Sequence, residues 1–201
     1  MSGRALLGLG FLVAALAAGA VPASAQGSPV TQPSRTWWFG AGGGYTTFRT
    51  DCSNCEHGDD YTGGRGFLLN GGIAVNDKFD GGAEVFSAIS GHEDVDYRTT
   101  YVLAVGQFRP WKTHGFFLKG GFGIVYFRGT IHVPGQAGSI SSQGLGIHYG
   151  AGWIFGRDRR VSFGPFGAQY VATMGDIALP AGSAENVVSN SWLAGVVVFF
   201  R

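Results

Sequence analysis

The sequence predicts an all-β fold: an eight-stranded antiparallel up-and-down transmembrane β-barrel preceded by a signal peptide. Three observations lead there. The chain opens on a short apolar run that ends in small residues, the remainder holds no apolar segment of helix-spanning length, and large apolar residues alternate with small ones along most of it.

Arg4 precedes an uncharged run from Ala5 to Val21, followed by Pro22 and Ala23-Ser24-Ala25. A basic start, a short apolar centre and small residues before the cut mark a secretory signal peptide, so residues 1–25 are expected to be removed. Residues 26–36, QGSPVTQPSRT, carry two prolines and no periodicity and read as a periplasmic lead-in. Residues 37–201 are expected to form one barrel domain.

Charged residues make up only 13% of the chain, whereas soluble domains average roughly 25%. Glycine is abundant at 36 residues. A net charge of +1 without clustered Lys and Arg gives no reason to expect nucleic acid as a partner. An exported chain that crosses a bilayer without an apolar helix must close a sheet on itself, because hydrocarbon leaves unpaired backbone groups unsatisfied.

Strands are expected near 37–48, 65–75, 79–90, 99–109, 116–130, 143–155, 160–173 and 190–200. Each is close to the roughly 9–11 residues that a tilted membrane strand needs. The first begins at Trp37, where the proline-containing lead-in stops. In the second, Phe67, Leu69, Ile73 and Val75 oppose Asn70, Gly72 and Ala74. The third places Glu84 on the inner side, and the fourth, apolar on both sides, is oriented by the shared parity of Gln107 and Arg109. In the fifth, Leu118, Phe122, Ile124 and Tyr126 oppose Lys119, Gly121 and Gly123. The sixth, QGLGIHYGAGWIF, sets Leu145, Ile147, Tyr149, Ala151, Trp153 and Phe155 against four glycines and His148. The seventh is expected to change phase at a bulge near Gly164-Pro165, and the eighth ends at Phe199-Phe200.

Connections at 76–78, 110–115 and 156–159 are short, while those at 49–64, 91–98, 131–142 and 174–189 are longer and more polar. That alternation matches barrels with short periplasmic turns and long external loops, and puts both ends of the domain in the periplasm. Alternation also occurs in soluble barrels with apolar interiors, and charge placement decides between the two. The parity opposite the large apolar residues is mainly Gly, Ser and Asn, which suits a cramped eight-stranded interior and turns the apolar parity to lipid. Trp37 and Trp38, Phe116 and Phe117, Trp153 and Phe155, and Phe199 and Phe200 are expected to form an aromatic girdle at the periplasmic side.

With this pattern, residues 37–201 resemble the small outer-membrane β-barrel family of OmpA-like and OmpX-like domains. The resemblance implies residence in the outer membrane of a Gram-negative-type bacterium, contact with outer-membrane lipid and lipopolysaccharide, and a monomeric state. It also implies delivery by the barrel-assembly machinery through an aromatic residue near the C-terminus, here Phe200 beside the final Arg201.

Cys52 and Cys55, in TDCSNCEHGDD, are the only two cysteines. In an oxidising compartment they are a candidate disulfide across a tight turn, and with His57 they form an alternative donor set for a divalent metal. Asn70, Glu84, Lys119, His148 and Gln169 are candidates for a polar network inside the lumen, where buried charges pair. GAGGGY and GLGIHY place Tyr45 and Tyr149 where a phosphate-binding loop needs glycine, so no cofactor is expected. Ser189-Asn190-Ser191 is similar to the serine region of lipid A deacylases, but no histidine lies nearby in sequence to activate a serine. The expected function is non-enzymatic, structural or surface-interacting through long external loops. A narrow channel for small or hydrophobic solutes and a lipid A-modifying enzyme are the alternatives.

Overall fold

A computed structural model describes residues 37–53, 61–92, 95–111, 114–132, 138–156, 159–179 and 182–201. The signal peptide and lead-in expected at 1–36 lie outside them. Eight strands follow in order: β1 (Trp37–Asp51), β2 (Thr62–Ala74), β3 (Phe79–His92), β4 (Val95–Phe108), β5 (Phe116–Ile131), β6 (Gly138–Trp153), β7 (Val161–Leu179) and β8 (Gly182–Phe200). Each pairs antiparallel with its neighbours in sequence, and β1 closes the sheet against β8 from Phe39↔Phe200 to Asp51↔Val188. The expected up-and-down barrel is the observed one.

The strands are longer than the membrane requires, from 13 residues in β2 to 19 in β7 and β8. Most of the polar stretches expected as long loops are ladder instead. β3 and β4 stay paired to His92↔Val95, β5 and β6 to Ile131↔Gly138, and β7 and β8 to Leu179↔Gly182. Polar sequence did not end these strands, because antiparallel neighbours satisfy each other's backbone groups in water as well as in lipid. They therefore project as hairpins at the end of the barrel away from the domain's termini, the distal end.

One seam interrupts the distal wall. The β6–β7 ladder runs from Gly152↔Phe166 to Leu145↔Thr173 and stops. Beyond it, residues 138–144 pair with β5 and residues 175–179 pair with β8. The seam opens at the bulge in β7, where Gly175 takes φ 67, a left-handed value that glycine adopts without a Cβ penalty. The bulge was expected at Gly164-Pro165. Phase is kept there: Val161, Phe163, Pro165 and Gly167 face out while Ser162, Gly164, Phe166 and Ala168 face in. The ladder skips from Gly152↔Phe166 to Phe155↔Phe163, so the missing proline N–H is met by a gap in pairing and not by a rotation of the strand.

Outward positions carry the lipid-facing residues expected of them, among them Phe67, Leu69, Phe122, Leu145 and Ile147, and Phe39, Phe163 and Val196 stand beside them. The interior is not lined by small residues alone. Trp38, Phe117 and Phe199, expected in the girdle, are 3%, 0% and 3% exposed and point inward, while Trp37, Phe116, Trp153, Phe155 and Phe200 remain outside. Period two sends adjacent aromatics to opposite faces, so each such doublet supplies one girdle residue and one plug residue. The inward glycines make room for these rings. A Cβ at Gly146 would lie 2.9 Å from Tyr101 Cδ1, and one at Gly152 would lie 2.7 Å from Phe117 Cε1. Gly146→Leu is therefore expected to overpack the lumen, cost about 1–3 kcal/mol and lower the temperature of the folded-to-unfolded mobility shift on a gel. An unchanged shift temperature would show that the axis has room to spare.

Candidate functional site

Five strands bring polar side chains to one level of the lumen. β2 and β3 place Asn70 and Glu84 as direct cross-strand partners, β5 supplies Lys119, and β6 and β7 place His148 beside Tyr170. Glu84 is 1% exposed and Lys119 4%, so neither charge reaches bulk water. Lys119 Nζ donates to Glu84 Oε2, and Asn70 Nδ2 donates to the same oxygen at 3.2 Å. The other carboxylate oxygen accepts from Tyr170 OH at 2.9 Å, with His148 Nδ1 at 3.9 Å. The imidazole stacks on Tyr170 with centroids 5.0 Å apart, and Lys119 Nζ stands 4.5 Å from the centre of the Phe166 ring. Burying an isolated charge costs several kcal/mol, and the pair with its hydrogen bonds offsets that cost.

The expected network of Asn70, Glu84, Lys119 and His148 is thus brought together. Gln169 is not in it. Because β7 keeps its phase, Gln169 lies on the outer wall, accepting from Tyr149 OH and donating to Asn190 Oδ1 at 2.9 Å. Tyr170 takes the inward place, and strict alternation counted from Val161 identifies it. A second buried pair was also missed: Arg109 binds Asp80, with Gln107 Nε2 3.5 Å from Asp80 Oδ2. Asp80 shares the parity of Glu84, which is the signal that places it inside. Tyr149 and Gln169 line a groove of about 690 Å³ that also takes in Ala151, Gly167, Ala194, Tyr45 and Trp192.

Contacts between strands four apart in this eight-stranded barrel cross its axis. Phe86 of β3 stacks on Tyr170 of β7 at 3.9 Å, and Tyr101 closes the cluster at 5.8 and 5.3 Å from them. Toward the distal end Phe48 of β1 stacks on Phe127 of β5 at 6.3 Å, with Tyr97 beside both. Toward the termini Trp38, Phe117, Phe166 and Phe199 form a chain of ring contacts at 5.9–6.1 Å. The charged layer lies between aromatic ones.

Ser189 and Ser191 are 0% exposed and point into the lumen, leaving Asn190 outside. Cys52 is disulfide-bonded and packs against the distal core, while Cys55 and His57 lie outside the described residues.

Lys119→Met leaves the Glu84 carboxylate without its cation and is expected to cost about 3–5 kcal/mol, read as a lower temperature of the gel mobility shift. Glu84→Gln combined with Lys119→Met removes both charges and should recover most of that loss. A double variant as unstable as the single one would show that the network acts through packing and not through charge pairing. For the cysteines, a 52–55 bridge predicts a non-reduced protein lighter by two hydrogen atoms than the reduced one, and equal masses would discard it.

Comparison with known proteins follows the same lines. Among solved structures, Ail, the attachment invasion locus protein of Yersinia pestis, in complex with the heparin analogue sucrose octasulfate, superposes with a TM-score of 0.59 at 15% identity. That match covers 82% of this chain and 99% of Ail. Neisserial surface protein A matches with a TM-score of 0.54 at 13% identity, covering 82% of this chain and 96% of that one. OprG from Pseudomonas aeruginosa matches with 0.51 at 15% identity, over 83% and 97%. At these identities the likeness is one of fold. No curated protein matches the sequence. Residues 11–200 match the outer membrane protein beta-barrel domain family, and with a closed barrel whose outer wall carries an apolar band, the chain belongs to that family, an outer-membrane protein of Gram-negative bacteria.

Proposed function

We propose that this barrel is a non-enzymatic anchor whose distal hairpins act at the cell surface, in a structural or surface-interaction role. The observation that carries the reading is the set of ring and ion contacts across the barrel axis, which leave the lumen built as a core and not as a path. The domain's termini lie on the periplasmic side, and the hairpins of β3–β4, β5–β6 and β7–β8 extend outward from the other. Removal of residues 1–25 and delivery by the barrel-assembly machinery through Phe200 precede insertion as a monomer. The outer wall then meets membrane lipid and lipopolysaccharide.

Two observations weigh against the alternatives. A channel needs a continuous lumen, and aromatic layers lie on both sides of the Glu84–Lys119 pair. A lipid A-modifying enzyme needs a nucleophile that reaches lipid, and the hydroxyls of Ser189 and Ser191 are buried on the wrong side of the wall.

The protein reconstituted in a planar bilayer is expected to give no stepwise conductance, and expression is expected to leave the lipid A acylation pattern unchanged. Discrete channels would favour the solute-path reading, and a new lipid A species the enzymatic one. An epitope inserted between residues 134 and 136 should be stained on intact cells. Staining only after permeabilisation would invert the orientation.

A further inference from the structure

The strand register assembles an arginine rung on the outer wall. Tyr45, Arg65, Ile89, Arg98, Arg128 and Ser141 are successive cross-strand partners from β1 to β6. All six face outward and are exposed. The next rung toward the termini is Gly43, Phe67, Ser87, Thr100, Tyr126 and Gln143, and the one after it is Ala41, Leu69, Val85, Val102, Ile124 and Leu145. In this sector the wall passes within two rungs from wholly apolar, through aromatic and hydroxyl, to cationic. That sequence of chemistry is the profile of a membrane boundary, with acyl chains beneath and charged headgroups above.

The rung carries three positive charges and no negative one. Arg98 and Arg128 are direct partners, an arrangement of like charges that destabilises a sheet unless something neutralises it. None of the three arginines makes an ion pair with a carboxylate among the described residues. Asp96, two residues beyond Arg98, is engaged by His132 Nε2 at 3.1 Å. Arg98 Nε donates to Ser87 Oγ at 3.4 Å, and Ser87 Oγ is 3.3 Å from Thr100 Oγ1. That tether steadies one edge of the guanidinium and leaves the terminal nitrogens for a ligand. Neighbouring strands lie about 4.8 Å apart, so Arg98 and Arg128 are spaced to share one anion, with Arg65 about 10 Å away to take a second.

We propose that Arg65, Arg98 and Arg128 form a binding rung for the phosphate groups of an outer-leaflet glycolipid, whose acyl chains lie against the apolar rungs below. The assignment rests on the reading that this wall meets lipopolysaccharide, and it names the residues that select for phosphate. Charge complementarity chooses the occupant: three fork-shaped cations without a carboxylate counter-ion among the described residues match a bisphosphorylated headgroup and gain little from a zwitterionic one.

The test uses the full chain in phosphatidylcholine nanodiscs loaded with bisphosphorylated lipid A or with enzymatically dephosphorylated lipid A, and reads retained lipid by native mass spectrometry. The phosphorylated form should be held at least about tenfold tighter, a difference of roughly 1.4 kcal/mol. Arg98→Gln with Arg128→Gln should erase that preference while keeping the heat-modifiable mobility of a folded barrel. Arg49→Gln should keep the preference, because Arg49 lies four residues beyond Tyr45 of the rung and pairs with Asp51 at 2.9 Å. A preference that survives the double variant overturns the assignment, as does a wild-type barrel that holds both lipids equally. The latter result would leave standing the reading that this wall meets lipopolysaccharide, whereas retention of neither lipid would sink both. Displacement of lipid A by millimolar inorganic phosphate would make the rung a free-phosphate site and overturn the lipid assignment, and resistance to it supports the lipid.

Discussion

Closure of the sheet is the constraint on which the rest of this molecule depends. A strand in hydrocarbon has no water for its backbone, so every N–H and C=O within the membrane must meet another strand. The β1–β8 ladder, thirteen cross-strand partners from Phe39↔Phe200 to Asp51↔Val188, removes the last edge. Closing with eight strands has a consequence of its own. The cylinder is too narrow for water to fill and too wide for backbone to fill, so side chains must meet across the axis.

That need explains the composition. Glycine is frequent on the inner parity because rings from nearby strands occupy the space its missing side chain leaves, as Tyr101 of β4 does over Gly146 of β6 and Phe117 of β5 over its cross-strand partner Gly152. It also explains why the interior charges come in pairs. Glu84 with Lys119, and Asp80 with Arg109, tie β3 to β5 and to the end of β4 at two levels, so these buried charges are paired. The same closed wall leaves the protein's outward chemistry to its exterior. The exterior is divided between an apolar band, a cationic rung above it on β2, β4 and β5, and hairpins that run past both.

Much of this was legible in the linear chain, because a β-barrel writes its two environments into alternate residues. The parity of Leu145, Ile147, Tyr149 and Trp153 against four glycines and His148 identified a lipid face and a lumen face, and the structure keeps both. Glu84, Lys119, His148 and Asn70 were recognisable as interior polar residues by the same count. Where the reading went wrong, it assumed that a local feature must disturb the pattern. Pro165 was expected to rotate β7, and one step of rotation sends Gln169 inward and Tyr170 outward, the reverse of what is found. The aromatic doublets failed for the opposite reason, since both residues were assigned to one face when period two separates them.

Sequence alone determined the class of the fold, the number of strands and the identity of most inner and outer residues, because these follow from local periodicity and from the cost of polar groups in hydrocarbon. Three things were decided only in the tertiary structure. Polar segments became paired hairpins because their neighbours were already aligned. Tyr170 and Phe86 met because closure brought strands four apart face to face. Arginines 33 and 30 residues apart in sequence came to share a rung because strand register, a property of pairing and not of any single strand, set them side by side.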